Sequence, residues 1–351
     1  MSRARLRLPA IVLTAAALSS TVGSAAAHPA SQTAGSPSSG SRLAAVTLAD
    51  QHLPAERFEI LTSPAARPAL VPSARATAAP VPTTDPRPAA TSRPIPPPAI
   101  DAQEVALVNL DTGRFLWQSN AHTARAPASL TKIFTAMVAT DLMGMNTVVT
   151  VPASISLLPA DSTFMGLTPG ERLPARELLE GVFLNSGNDA AEALASAVTA
   201  RSTFIADMNT KAARLGLRST HFVNPTGLSA PGQYSSAYDL AVAAIYLESH
   251  YPGLVGIAAT RAIMIPATAT HKKFTLVNLN KLLHTYPGAY GLKTGWTEEA
   301  LGCLITTSSR GGHRLLAILL GAPNGTAYAE MPKVLDYGFE LIGVLPRPLA
   351  P

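Results

Sequence analysis

At 351 residues the chain has room for one large domain or two small ones, and its single cysteine, Cys303, excludes an internal disulfide. The formal charge of +5 includes Arg3, Arg5 and Arg7 and falls to +2 without them, too weak a balance to point to a nucleic-acid partner. The eight histidines are scattered, with no H-E-x-x-H or similar ligand cluster, so neither a metal nor a cofactor is expected.

The three arginines precede an apolar stretch from Leu8 to about Val22 and then Ala25-Ala26-Ala27. A charged start, an apolar middle and a small-residue end describe a signal peptide over 1–27, cleaved after Ala27, and hence an exported protein. The stretch is broken by Ser19, Ser20 and Thr21 and is shorter than the ~20 residues that a spanning helix needs; retention as an anchor is the alternative. Residues 28–98 hold nearly half of the 30 prolines among Ala, Ser and Thr. Such a composition buries too little apolar surface to fold and predicts a disordered linker, with a short helix possible between Leu43 and Leu61.

Residues 99–344 carry the pattern of a folded domain, followed by a tail at 345–351. Val105 to Leu110 and Phe115 to Gln118 flank Asp111-Thr112-Gly113 and predict a hairpin. From Ser129 an uninterrupted helical pattern runs to about Met143, with Leu130, Ile133, Phe134, Met137 and Val138 on one face. Ser129 and Lys132, three apart, share another face. A helix with so few charges is a buried helix. Its one carboxylate, Asp141, lies at the far end, so Lys132 is an isolated cation whose pKa should fall until the free amine can act as a base toward Ser129. The helix start also favours a developing oxyanion. Taken alone, Ser-x-x-Lys is a frequent match and Ser129 could simply cap its helix.

Pro174 to Leu184 predicts a second helix and Ala190 to Val198 a third. Between them, Asn185-Ser186-Gly187-Asn188-Asp189 forms a connection of turn-forming residues whose side chains can point into a cleft. Helices dominate to Leu247. Tyr290 to Thr297 reads as a strand, with Lys293 and Gly295 on one face and Thr294 and Trp296 on the other. Glycine inside a strand marks close approach by a ligand or another backbone. On an edge strand the free N–H groups could take a substrate as an added strand, or Lys293 could simply guard the edge. Gly302 to Thr307 and Arg314 to Leu320 predict two more strands joined through Arg310-Gly311-Gly312, with Cys303 in the core. Thr326 to Ile342 predicts a closing helix, interrupted by Pro332 near its start. The fold class is α/β (α+β): an antiparallel sheet covered by helices, with an inserted all-helical part.

The strings Ser129-Leu130-Thr131-Lys132, Ser186-Gly187-Asn188 and Lys293-Thr294-Gly295 stand in the order S-x-x-K, S-x-N, K-T-G. With them go Phe164-Met165-Gly166-Leu167, Pro169-Gly170-Glu171, His221 through Leu228 and Gly291-Leu292. On these segments the chain from about Pro96 to Val344 resembles the low-molecular-mass penicillin-binding proteins of the serine-type D-alanyl-D-alanine carboxypeptidase family. The resemblance implies the penicillin-binding/β-lactamase-like fold and a set of roles. Ser129 would be the acylated nucleophile, Lys132 its base and Ser186 a proton relay. Asn188 would hold the substrate amide, and Lys293, Thr294 and Gly295 the terminal carboxylate. The backbone N–H groups of Ser129 and Trp296 would form the oxyanion hole. His221 would be structural. The expected substrate is a peptidoglycan stem peptide ending in D-Ala-D-Ala, with β-lactams as covalent inhibitors. Trp296, and Leu301 before Gly302, depart from the family's usual residues without removing a catalytic group. The β-rich C-terminal domain and amphipathic membrane anchor frequent in the family are not expected here.

Three other readings share these motifs. A D,D-endopeptidase would differ only in cleft shape. A class A β-lactamase would need a Glu-x-x-Leu-Asn string between Asn188 and Lys293, which is missing, and aspartate where Gly187 stands. A wall-binding module without turnover would not need its intact Ser129, Lys132, Ser186, Asn188 and Lys293.

Overall fold

The computed structural model describes residues 95–344, and its centre is a five-stranded antiparallel sheet. The expected signal peptide, almost all of the linker with Leu43 to Leu61, and the tail lie outside the described residues. The chain enters the sheet as a hairpin, β1 (Glu104–Asn109) and β2 (Arg114–Ser119). A 3-10 turn, Ala128–Thr131, then runs into α1 (Lys132–Leu142). β3 (Val148–Thr150) pairs with β4 (Arg172–Pro174). Next come α2 (Ala175–Phe183), α3 (Asn188–Ala195), α4 (Arg201–Arg214), α5 (Ala237–His250) and α6 (Pro252–Ala259). A small hairpin follows, β5 (Ala262–Ile265) with β6 (Phe274–Val277), and then the short α7 (Leu282–Thr285). The chain returns to the sheet as β7 (Ala289–Thr297), β8 (Leu301–Arg310) and β9 (His313–Ala322), and α8 (Ala327–Leu341) closes it.

The strand order is β2-β1-β9-β8-β7, so the first and last strands of the domain pair at its centre and β7 forms an edge. Every residue of β1 is buried, because the sheet is covered on both faces. Val105 and Leu107 pack with Met331, Val334, Leu335 and Phe339 of α8. Ala106 and Val108 belong to the larger core formed with the helices of the inserted part. α1 lies in the middle of that part, against α2, α3, α4 and α5, and Lys132 through Ala139 are all buried. A helix enclosed on every side needs no polar face.

Three local expectations are corrected. The helix predicted from Ser129 becomes α-helical only at Lys132; Ala128 before it has φ +47°, and the first turn is the tighter 3-10 form. Asn188 is the first residue of α3 and not part of the preceding connection, and α3 ends at Ala195. The two small hairpins have strands of three and four residues, too short for alternation to register, and Pro174 closes β4 where it was expected to open α2.

At Gly338, α8 comes so close to the sheet that a Cβ would stand 2.8 Å from Leu315 Cδ1 and 3.0 Å from Leu107 Cδ2. Both leucines are fully buried and cannot step aside. Gly338→Val should therefore cost about 1–3 kcal/mol by overpacking. Thermal unfolding would show a Tm lowered by several degrees, and an unchanged Tm would contradict this packing.

Candidate active site

The 3-10 turn explains why Ser129 and Lys132 meet. In that helix, side chains at i and i+3 eclipse each other, and Lys132 Nζ lies 2.8 Å from Ser129 Oγ. Ser129 is half-buried and Lys132 completely buried. The amine has two further partners, Asn188 Oδ1 at 2.6 Å and the Thr226 carbonyl at 2.7 Å. Both are acceptors only. A neutral amine gives its two N–H bonds to them and turns its lone pair toward the serine hydroxyl. Burial pushes the Lys132 pKa well below the ordinary lysine range and Lys293 adds to the fall, while Asp189 and Glu192 oppose it.

The Thr226 carbonyl is held by a network that the sequence reading does not assign. Asn224 Oδ1 accepts from the N–H groups of Thr226 (3.2 Å) and Gly227 (2.8 Å) and from the Thr226 hydroxyl (2.9 Å). Gln233 accepts from Val223 N–H at 2.7 Å and donates to Thr131 Oγ1 at 3.1 Å, tying this segment to the turn that carries Ser129. Thr135 on α1 donates to the Pro225 carbonyl at 2.6 Å. Gly227, at φ +83°, lies so close that a Cβ would stand 1.9 Å from the Ala128 carbonyl oxygen. His221 pairs with Tyr234 across a bridge and its Nδ1 meets the Gly232 carbonyl at 2.7 Å, a structural placement. The asparagine–proline–threonine–glycine order was the available signal, but nothing in it specifies a carbonyl aimed at a lysine 94 positions away.

Ser186 occupies the connection from α2 to α3 at φ +55°, an uncommon conformation for a residue with a side chain. Asn188 N–H donates to the Thr163 carbonyl at 2.8 Å, and the Thr163 hydroxyl donates to the Ser186 carbonyl at 2.8 Å. Asp189, which the sequence reading also leaves without a role, accepts from the N–H groups of Met165, Gly166 and Leu167, each at 2.8 Å. These bonds lock the 163–167 loop against the start of α3.

β7 supplies the third side. Lys293 is 1% exposed and donates to Ser186 Oγ and to the Thr294 carbonyl, both at 2.8 Å. Burial lowers its pKa to about 7. Gly295 faces the nucleophile turn: a Cβ there would lie 3.0 Å from both Ser129 N and Ala128 Cβ. The strand glycine is therefore the residue that lets β7 approach Ser129. Thr294 is half-buried at the edge, and Trp296 stands out, 63% exposed. Ser129, Lys132 and Asn188 are thus joined by direct hydrogen bonds, as are Lys293 and Ser186, and Thr163 links the two groups through the backbone of Asn188 and Ser186. Cys303 is buried, and burial pushes its thiol pKa up to about 12. Among the described residues no group of His, Cys, Asp or Glu is arranged to hold a metal ion.

A helix-covered antiparallel sheet with a serine hydroxyl paired to a buried lysine beside its edge strand is the architecture of the penicillin-binding and D,D-peptidase proteins. Solved structures agree. The D-alanyl-D-alanine carboxypeptidase of Mycobacterium tuberculosis H37Rv superposes with a TM-score of 0.66 at 33% identity, over 70% of this chain and 94% of that one. The Streptomyces K15 DD-transpeptidase superposes at 0.65 and 31%, over 70% and 100%. The D-alanyl-D-alanine carboxypeptidase family model matches residues 90–324. DacF of Bacillus subtilis is 37% identical over 69% of this chain and 63% of its own length, and DacB2 of M. tuberculosis 36% identical over 70% and 85%. The chain belongs to the D-alanyl-D-alanine carboxypeptidase family of serine peptidases. It spans a little under two thirds of the length of the Bacillus relative and most of the mycobacterial one.

Burial of Lys293 also predicts a pH signature of stability. Its folded-state pKa is about 7 against an ordinary 10.5, so between those values the unfolded chain binds more protons and stability rises with pH. Lys293→Met removes this contribution. The stability of the variant relative to wild type should be greatest below pH 7 and decline toward pH 10.5, as read from urea unfolding across that range. A constant difference would mean that Lys293 is not buried as a strained cation.

Proposed function

We propose that this protein is an exported serine D,D-carboxypeptidase that removes the terminal D-alanine of peptidoglycan stem peptides through an acyl-enzyme on Ser129. The observation that carries the reading is the Lys132 amine, with two pure acceptors on one side and the Ser129 hydroxyl on the other. Lys132 takes the hydroxyl proton as Oγ attacks the carbonyl carbon of the penultimate D-alanine. The oxyanion forms between the N–H groups of Ser129 and Trp296. Ser186, polarised by Lys293, relays the proton taken up by Lys132 to the departing D-alanine amine, and water then cleaves the ester, its proton returning to Ser129. Asn188 holds the substrate amide. Lys293, acting beneath Ser186, and the Thr294 hydroxyl attract the terminal carboxylate. β-Lactams acylate the same serine. Export rests on the arginine, apolar and alanine segments of residues 1–27.

Ser129→Ala should abolish both D-alanine release and labelling by a fluorescent penicillin. Lys132→Arg should be nearly as damaging, because arginine keeps its proton. Labelling of Ser129→Ala at the wild-type rate would overturn the nucleophile, and near-normal acylation by Lys132→Arg would overturn the base. If D-alanine is released only when an amine acceptor is supplied, the reaction is a transfer, as the name of the Streptomyces relative describes for that protein.

The carboxylate role has its own test. Charge-assisted hydrogen bonds are worth about 1.5–3 kcal/mol, so Lys293→Met should lower kcat/KM for a D-Ala-D-Ala acid by roughly tenfold to a hundredfold. The C-terminal amide of the same peptide should suffer far less. Equal losses would leave Lys293 as a partner of Ser186 alone.

A further inference from the structure

Glu192 lies on α3, one turn beyond Asn188 and on the same face. Asn188 is the residue whose side chain touches the Lys132 amine. Glu192 is buried and is met by a fork from Arg201, Nε to Oε2 at 2.6 Å and Nη2 to Oε1 at 2.8 Å. Arg201 is the first residue of α4, where a cation opposes the helix dipole. No side chain caps that helix and no acidic residue occupies its first turn. Local helix preference therefore does not account for an arginine there, whereas the carboxylate behind it does. The Arg201 side chain is 44% exposed and that of Glu192 only 9%, so the pair runs from the surface to the buried face of α3.

We propose that the Glu192–Arg201 ion pair regulates the Lys132 base, with Arg201 restraining the negative field that Glu192 projects along α3 toward the amine. The inference rests on Lys132 being the base of the proposed reaction. Two positioning residues of opposite charge then act through Lys132 without touching substrate. Unrestrained, the Glu192 carboxylate stabilises the ammonium form and delays loss of its proton; Arg201 cancels much of that effect. Several other charged groups on the elements packed against α1 have partners of their own. Lys293 on β7 holds Ser186, and Asp189 on α3 is surrounded by backbone N–H groups. Glu180 on α2 pairs with Arg176, and Lys211 on α4 with Asp141. Asp239 on α5 accepts from Ser219 N–H and the Thr220 hydroxyl. Lys293 and Asp189 also act on the Lys132 amine, with opposite signs, and both remain in place in every variant below.

The test is the pH profile of the second-order rate of acylation by a fluorescent penicillin. Arg201→Gln should move the acid limb to higher pH by about half a unit to one unit, slowing acylation below the limb roughly threefold to tenfold. Arg201→Lys should keep the wild-type profile. Glu192→Gln should move the limb the other way, and the double variant should return toward wild type. Both single variants lose the same salt bridge, so a purely structural pair would lower Tm in both without opposite shifts. An unmoved limb, or shifts of the same sign, would overturn the inference. If Glu192→Gln does not fold, the contrast between Arg201→Gln and Arg201→Lys, both at the exposed end, decides alone. Lys132→Arg is assayed in parallel. If it acylates normally, the base assignment itself fails; if it is inactive while Arg201→Gln leaves the limb unmoved, only the ion-pair inference fails.

Discussion

A buried lysine amine with no facing counter-ion within hydrogen-bond reach is the constraint around which this domain is arranged. Lys132 is completely buried, and its contacts are a hydroxyl, an amide oxygen and a carbonyl. A carboxylate there would hold the proton, and an apolar pocket would leave the amine unsatisfied. Neutral acceptors satisfy it and leave it free to lose the proton. That choice fixes what surrounds it: Asn188 must open α3 facing α1, and the Asn224–Gly227 segment must present a carbonyl from the opposite side.

The same demand governs the backbone. Three chain segments converge on the nucleophile turn, and two do so through glycine. Gly295 brings the edge strand to Ser129 N, and Gly227 lies on the Ala128 carbonyl. Ala128, just before Ser129, and Ser186 hold left-handed backbone conformations. Such conformations persist only where the surroundings over-determine them. Here the enclosing helices, the loop clamped by Asp189 and the doubly covered sheet provide that surrounding rigidity.

Lys293 shows the conflict between stability and chemistry. Its ammonium lies beneath Ser186, where burial brings its pKa down to about 7. A hydrophobic residue would suit that position better for folding alone. The two lysine–serine pairs place buried amines beside hydroxyls between α1, the start of α3 and the sheet edge.

Much of this was legible in the sequence. The hairpin turns, the closing helix and the covered sheet followed from alternation, turn residues and long apolar runs, which are local signals. The three motifs marked the serine, the lysines and the strand, and the lack of charge along α1 implied that Lys132 is buried. Local pattern could not supply the partners. The Thr226 carbonyl, the Asn224 and Gln233 scaffold and the Asp189 clamp depend on segments far apart in the chain, and a backbone carbonyl has no residue type by which to be recognised. Nor could it decide that the first turn is 3-10, because Ala128, at φ +47°, lies against Gly227 and Gly295 from segments far along the chain. The sequence by itself determined which groups carry the chemistry; the tertiary structure decided their protonation and aim, because both arise from burial and distance between elements that only folding brings together.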